Sequence, residues 1–262
     1  MFDFHVHSSF SADSTADMEE MCNAAKEKGL REICFTEHLD IDYPDDDIIP
    51  VDLNAYDLKI KELRRKIPQL LIRKGIESGF QQHVQKATDL CLVSQKLDFI
   101  INSVHVIDGM EVFFPPFYTD KTQKEAYTRY LEVVLQSVTQ CTCYNVIGHL
   151  GYVVKGAPYT EKELQYLDYS DLIDAILKKV IETGHGMEVN TSGYKTSSSP
   201  IPHSSIIRRY RELGGEILTI GSDAHSPQYL AYQFDPAKEI IRQAGFRYQT
   251  TFCGMKPEFH KL

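Results

Sequence analysis

Seven short β-rich runs alternate with helical ones along the 262 residues, and this pattern predicts an α/β chain whose parallel strands close into a barrel. Three observations carry the prediction. The strand-like runs are mostly apolar, as expected of a parallel sheet buried on both faces. Seven βα units favour closure into a barrel over an open sheet. Acids and histidines recur just after the strands, on the rim where such barrels build their sites.

The units follow in order. "FDFHV" precedes "DMEEMCNAAKEKG", where Met18, Met21, Cys22 and Ala25 keep helical spacing and Gly29 is a C-terminal stop. "REICFT" leads to a helix over 54–66 with Asn54 as cap, Tyr56, Ile60, Leu63 and Ile67 on one face, and Pro68 at its end. "LLIRKGI" precedes a helix near 81–96, and "DFIINSV" precedes, after a loop, a helix over about 120–140. "YNVIGH" leads to a helix carrying Leu172, Ile173, Ile176, Leu177, Val180 and Ile181, which stops at Gly184. "GMEVNTS" precedes "HSSIIRRYRELG", and "GEILTIGSDAH" precedes a helix opened by Asp235 and Pro236. The late run "FRYQTTF" reads as a distorted eighth strand or a closing flap. With no linker, repeat or low-complexity segment, residues 1–262 read as a single domain.

Composition narrows the function. A net charge of −9, from 28 basic and 37 acidic residues, argues against a nucleic acid as main partner, because phosphate-backbone binding needs clustered Lys and Arg. Cysteines 22, 34, 91, 141, 143 and 253 form no CxxC pair and read as reduced thiols of a cytoplasmic protein. No run approaches the ~20 apolar residues of a membrane span, and no basic segment with an apolar run opens the chain, so neither a membrane partner nor secretion is expected.

The candidate ligands fall at the strand ends. His5 and His7 close the first strand, His38 follows "CFTE", Glu77 follows "KGI", His105 follows "INSV", His149 follows "VIG", and Asp223 and His225 follow "TIGS". In a strand, residues two apart share a face, so His5 and His7 can approach one ion while Phe4 and Val6 pack opposite. Each residue alone is weak evidence. Their coincidence at one topological position in six of seven units is strong, and His83, His185, His203 and His260, which lack it, read as structural. Imidazole with carboxylate suits Zn²⁺, Fe²⁺ or Mn²⁺ rather than Ca²⁺ or Mg²⁺. Nine ligands, counting Asp13, imply two or three such ions, with a carboxylate such as Glu77 suited to bridge a pair. Paired ions suit phosphoester hydrolysis.

"DFHVHSSFSAD", "FTEH", "GIE", "SVH", "GHL" and "GSDAH", in this order, resemble the motifs of the polymerase and histidinol phosphatase superfamily across essentially the whole chain. "EICFTEH", "GHLGYV", "GAPYT", "EVNTSG", "LGGEILTIGSDAH", "AGF" and "FCGMK" are similar to its histidinol-phosphate phosphatases. The resemblance implies a distorted (β/α)7 barrel around a trinuclear metal centre at the C-terminal ends of the strands. It implies His5, His7, Glu77 and Asp223 on one ion, Glu77 bridging to a second with His105 and His149, and Asp13, His38 and His225 on the third. A metal-bridging hydroxide held by Glu77, Asp223 and His225 would attack phosphorus.

The departures concern the substrate. Relatives tend to have Asp after "GHL" and arginines near the phosphate; this chain has Gly151, Lys155 and Lys195. Lys155, Lys195 and Ser192 are therefore the candidate phosphate contacts, and lysine neutralises a phosphate without gripping it bidentately. The expected reaction is hydrolysis of L-histidinol phosphate in histidine biosynthesis. Another small phosphate ester or a nucleotide is the alternative substrate, and a non-catalytic metal-binding module the alternative class. The run "VIDGMEVFFPPFYTDKTQ" reads as a wall or lid of the pocket, or as a cap in which Phe113, Phe114 and Phe117 simply pack on the barrel; packing is the favoured reading.

Overall fold

A computed structural model describes residues 1–45 and 50–262. Seven parallel strands pair in chain order: β1 (Phe2–Val6), β2 (Glu32–Leu39), β3 (Leu71–Gly79), β4 (Phe99–Ser103), β5 (Val146–Ile147), β6 (Gly186–Asn190) and β7 (Leu218–Gly221). The sheet then nearly closes on itself. His7 N donates to Ala224 O (2.9 Å) and Asp223 N to His5 O (2.8 Å), joining the end of β1 to the residues just after β7. This is the expected barrel.

Helices α1 (Met18–Glu27), α2 (Leu53–Lys66), α3 (Gln85–Val93), α4 (Gln123–Gln140), α5 (Ser170–Glu182), α6 (Ser204–Glu212) and α7 (Phe234–Gln243) cover the outside. Their apolar stripes bury residues such as Met21, Ile60, Leu131, Ile176, Ile207 and Ile241 against the outward faces of the strands. Three starts differ from the expected ones, α3 beginning at Gln85 rather than near 81. α2 is capped by Asp52, whose carboxylate accepts from the amides of Asn54 and Ala55, one carboxylate satisfying two otherwise orphaned donors. α7 begins at Phe234 after a left-handed Gln233, so Asp235 lies in its first turn rather than at its cap. Among the described residues no helix is long and apolar enough to cross a membrane.

The barrel interior is filled in two layers. At its N-terminal end Phe4, Cys34, Phe99, Ile101, Val146 and Phe252 pack together, apart from the main core between strands and helices. Phe252 belongs to the terminal hairpin of β8 (Tyr248–Cys253) and β9 (Lys256–Lys261), whose antiparallel pairing leaves the barrel sheet at seven strands. The hairpin is pinned to the starts of the barrel strands: Thr250 Oγ1 accepts from Leu218 N (3.1 Å), and Met255 N donates to Asp98 O (2.9 Å). "FRYQTTF" is thus the closing flap of the two expected alternatives.

Phe4 departs from the expected arrangement. The register between β1 and β2 shifts between Asp3 and Val6, three steps on one strand against two on the other. Such a bulge breaks strict alternation. Phe4 therefore joins the interior cluster while Val6 packs in the outer core, and His5 and His7 remain together at the rim.

Candidate metal centre

Every strand end contributes to one buried polar cluster. His5, in β1, and His7, just after it, direct their Nε2 atoms to within 3.0 Å of each other and 3.0 and 3.3 Å of Glu77 Oε2. Asp223 Oδ1 lies 3.8 and 3.6 Å from the same two nitrogens. The other Glu77 oxygen, Oε1, faces His105 Nε2 (3.2 Å) and His149 Nε2 (2.7 Å), themselves 3.4 Å apart. Asp13 Oδ2 sits 3.4 Å from His38 Nε2 and 2.8 Å from His225 Nε2. His38 also joins the centre through Nδ1, 3.3 Å from Glu77 Oε2.

These spacings match the edges of a coordination polyhedron: ligands bonded at ~2.0–2.1 Å in a tetrahedron lie about 3.3 Å apart. A second observation points the same way. His38 Nδ1 and His225 Nε2 are buried without a hydrogen-bond partner, although carboxylate oxygens stand 3.3 and 2.8 Å from them. Atoms so close yet misaligned for sharing a proton are arranged to share an ion. The donor set therefore fits divalent transition metals. His5, His7 and Glu77; His38, Glu77 and His105; and His7, His38 and His225 each offer atoms within 4.8 Å of one another.

The acids behind the histidines set which nitrogen faces inward. Glu188 Oε1 takes His5 Nδ1 at 2.6 Å, Asp40 Oδ1 takes His105 Nδ1 at 3.1 Å, and Ser11 Oγ meets His7 Nδ1 at 3.1 Å. A group on Nδ1 fixes the ring and leaves Nε2 for the ion. Glu37 holds the loop after β1, accepting from the amide and hydroxyl of Ser8 and from Ser11 Oγ (3.1, 2.5 and 2.6 Å). Gly221 leaves room for this packing, since a Cβ there would stand 2.3 Å from His5 Cβ and 2.5 Å from Glu188 Oε1.

Charge is concentrated accordingly. Burial alone would raise Glu77, but His5, His105 and His38 outweigh it and hold the carboxyl well below its usual range. Burial alone would lower His105, yet Asp40 and Glu77 push it up to about 10. For His7 burial prevails, reinforced by the neighbouring His225 and His38, and lowers it. Neighbouring buried histidines pushed in opposite directions within one cleft mark a functional site.

Glu188, Asp40 and Glu37 are absent from the sequence-derived set. The pair Glu188 and Asn190, two apart in an otherwise apolar strand, was the available signal, because such residues share a face. Of the expected phosphate contacts, Lys155 lines the cavity above the cluster, with Nζ 2.7 Å from Asp223 Oδ2. Ser192 and Lys195 stand off that wall. The Ser192 hydroxyl is taken by Asn190 Oδ1 (2.6 Å) and Asp223 Oδ2 (3.1 Å), and the Lys195 ammonium rests 4.1 Å over the Tyr229 ring. The aromatic run also divides: Phe117 is buried in the core, whereas Phe113 and Phe114 line the cavity, against the expectation that all three pack on the barrel.

The remaining histidines have structural surroundings. His83 pairs with Asp42, His203 caps α6 by accepting from Ser205 N, His260 meets Thr251 Oγ1, and His185 stacks on Tyr144.

A buried cluster of histidines and carboxylates on the C-terminal rim of a seven-stranded barrel accords with the family comparison: residues 3–192 match the PHP domain, and the chain belongs to that family. Within it the similarity is to histidinol phosphatases. The chain is 32% identical to the histidinol-phosphatase of Lactococcus lactis subsp. lactis, over 99% of this chain and 97% of that one. It is 27% identical to a protein of Clostridium acetobutylicum named probable histidinol-phosphatase, over 99% and 96%. The crystal structure of histidinol phosphate phosphatase from L. lactis, complexed with zinc, L-histidinol and phosphate, superposes with a TM-score of 0.92 at 32% identity, covering 98% of each chain.

Proposed function

We propose that this chain is a metal-dependent phosphomonoesterase that hydrolyses L-histidinol phosphate to L-histidinol and phosphate in histidine biosynthesis, as one catalytic domain spanning residues 1–262. The observation that carries this is Glu77, whose two oxygens face two separate histidine pairs within one buried cluster. The named relatives and the zinc, histidinol and phosphate in the L. lactis structure support the substrate.

In this reading His5, His7, Glu77 and Asp223 hold one divalent ion, Glu77 with His105 and His149 a second, and Asp13, His38 and His225 a third; zinc, iron or manganese would suit them. When bound, such ions draw charge from phosphoryl oxygens and supply a nucleophilic water at neutral pH. Glu188 and Asp40 hold His5 and His105 with Nε2 aimed inward, so the ligands need little rearrangement on loading. Lys155, on the cavity wall beside Asp223, sets a positive charge where the phosphate would enter. The cavity of about 650 Å³ above the cluster is of a size to take a small ester. A cytoplasmic setting is part of the proposal and agrees with the six unpaired cysteines.

The test is phosphate release from L-histidinol phosphate, beside a panel of small phosphomonoesters and a nucleotide, on protein of measured metal content, with His5→Ala as control. Fast, selective, metal-dependent release is expected. Preference for another ester would move the enzyme to another pathway, and no release from metal-loaded protein would sink the assignment.

A further inference from the structure

Three of the inward-facing histidines have a partner on Nδ1, and the partners are not equivalent. His5 and His105 face the acids Glu188 and Asp40. An ionised carboxylate only accepts, so both rings carry hydrogen on Nδ1. The partner of His7 is the Ser11 hydroxyl, which can donate or accept. On its own that hydroxyl leaves the His7 tautomer open.

Two further bonds close the choice. The buried Ser11 hydroxyl gives its single hydrogen to Glu37 Oε2 at 2.6 Å, and one of its lone pairs takes the amide hydrogen of His38 at 3.1 Å. Glu37 is an acceptor at its other contacts as well, Oε2 from the Ser8 amide (3.1 Å) and Oε1 from the Ser8 hydroxyl (2.5 Å). A hydroxyl has one hydrogen and two lone pairs. What remains for His7, 3.1 Å away, is a lone pair, so Nδ1 is the donor. The hydrogen bond at one ring nitrogen decides the state of the other. His7 Nε2 is then bare, and it points to Glu77 Oε2 at 3.3 Å.

We infer that Glu37, acting through Ser11, is the positioning residue that fixes His7 as its Nδ1-protonated tautomer and so makes Nε2 the metal donor. The inference rests on the metal-dependent reading above and deepens it. The same hydroxyl holds the His38 amide, so one serine sets a ligand after β1 and a ligand in β2 together. Neither Ser11 nor Glu37 needs to touch an ion or a substrate for this.

The experiment reads the ring directly. Long-range proton–nitrogen NMR correlations of the full chain, zinc-loaded and then stripped, show which nitrogen of His7 carries hydrogen, and competition with a chelator gives zinc affinity. Wild type is expected to keep hydrogen on Nδ1 in both forms. In Ser11→Ala the acceptor left for a ring hydrogen is Glu77 Oε2, on the Nε2 side. The stripped variant should therefore carry hydrogen on Nε2 and bind zinc about 10- to 100-fold more weakly, the scale of a lost outer partner of a metal ligand. In Glu37→Gln the amide oxygen must take the Oε2 place, because the Ser8 amide cannot turn, while the Ser8 hydroxyl can turn to accept from the new amide nitrogen. Ser11 keeps its acceptor, and hydrogen should stay on Nδ1. Stripped wild type with hydrogen on Nε2 would overturn the inference, and this holds even where Ser11→Ala fails to fold. So would Ser11→Ala that loses zinc affinity with its tautomer unchanged, which is the result of a merely structural role, or Glu37→Gln with hydrogen on Nε2. Wild type that binds zinc with the other tautomer would overturn this inference alone; wild type that binds no zinc would overturn the metal-dependent reading with it.

Discussion

The two ends of the barrel interior are built from the same strands and filled in opposite ways. Along β4, Phe99 and Ile101 join the apolar cluster at the base, and Ser103, two residues further toward the rim, donates to Glu77 Oε1 at 2.7 Å. The base is complete in itself, since aromatic and aliphatic side chains need only each other. The rim gathers histidines and acids that repel, attract and desolvate one another, an arrangement suited to holding cations. The base provides stability that the rim cannot, and the rim provides the groups for chemistry.

Separating these roles is the sharpest test of the comparison. Glu77→Gln should abolish activity and lower metal content, because the residue faces two ligand sets at once. Losing an outer partner of a metal ligand already costs about 10- to 100-fold, and this loss should exceed that. A metal-replete, active Glu77→Gln protein would break the division. Phe252→Ala should do the reverse, removing about 3–5 kcal/mol of stability by opening a cavity in the base while the folded fraction keeps its kcat; urea titration beside assays below the transition would show it. Lys155→Ala should raise KM for histidinol phosphate by about 10-fold with little change in melting temperature, and an unchanged KM would remove Lys155 from phosphate binding.

The smallest effect concerns His185, the residue just before β6, outside both the base and the rim. His185 is half-buried against Tyr144, with ring centroids 3.8 Å apart, and burial lowers its pKa. Lowering below the unfolded value of about 6.5 means that the unfolded chain binds the proton more readily. Its stabilising contribution is therefore present above that pH and lost as pH falls through the lowered folded value. His185→Gln should flatten the decline in melting temperature between about pH 7 and pH 5; an identical slope would show that this ring does not titrate on unfolding.

What the sequence makes legible follows from the same contrast. His5, His7, His38, His105 and His149 stand out because few residue types bind metals and because strand ends converge in a barrel. Asp40 is hidden, since a carboxylate that orients a histidine looks, in one dimension, like any other acid, and Glu188 shows only through its place beside Asn190 on one face of an apolar strand. Phe4 is misread for a different reason: the β1 bulge leaves no mark in the pattern of apolar residues, so alternation sends the ring to the wrong side. The terminal hairpin is ambiguous because a strand that floors a barrel and one that joins its wall have the same composition.

The seam between β1 and the residues after β7 is held on the backbone by His7 N to Ala224 O and Asp223 N to His5 O. His5 and His7 lie on one side of it, Asp223 and His225 on the other, so ions at the rim would also fasten the first strand to the last across more than two hundred residues of chain. Loading would then act as a clasp. Stripping the protein with a chelator should speed amide hydrogen exchange at residues 5–7 and 222–225 before it does so in the helices, and the order of that unfastening would show how far the barrel relies on its metals to stay shut.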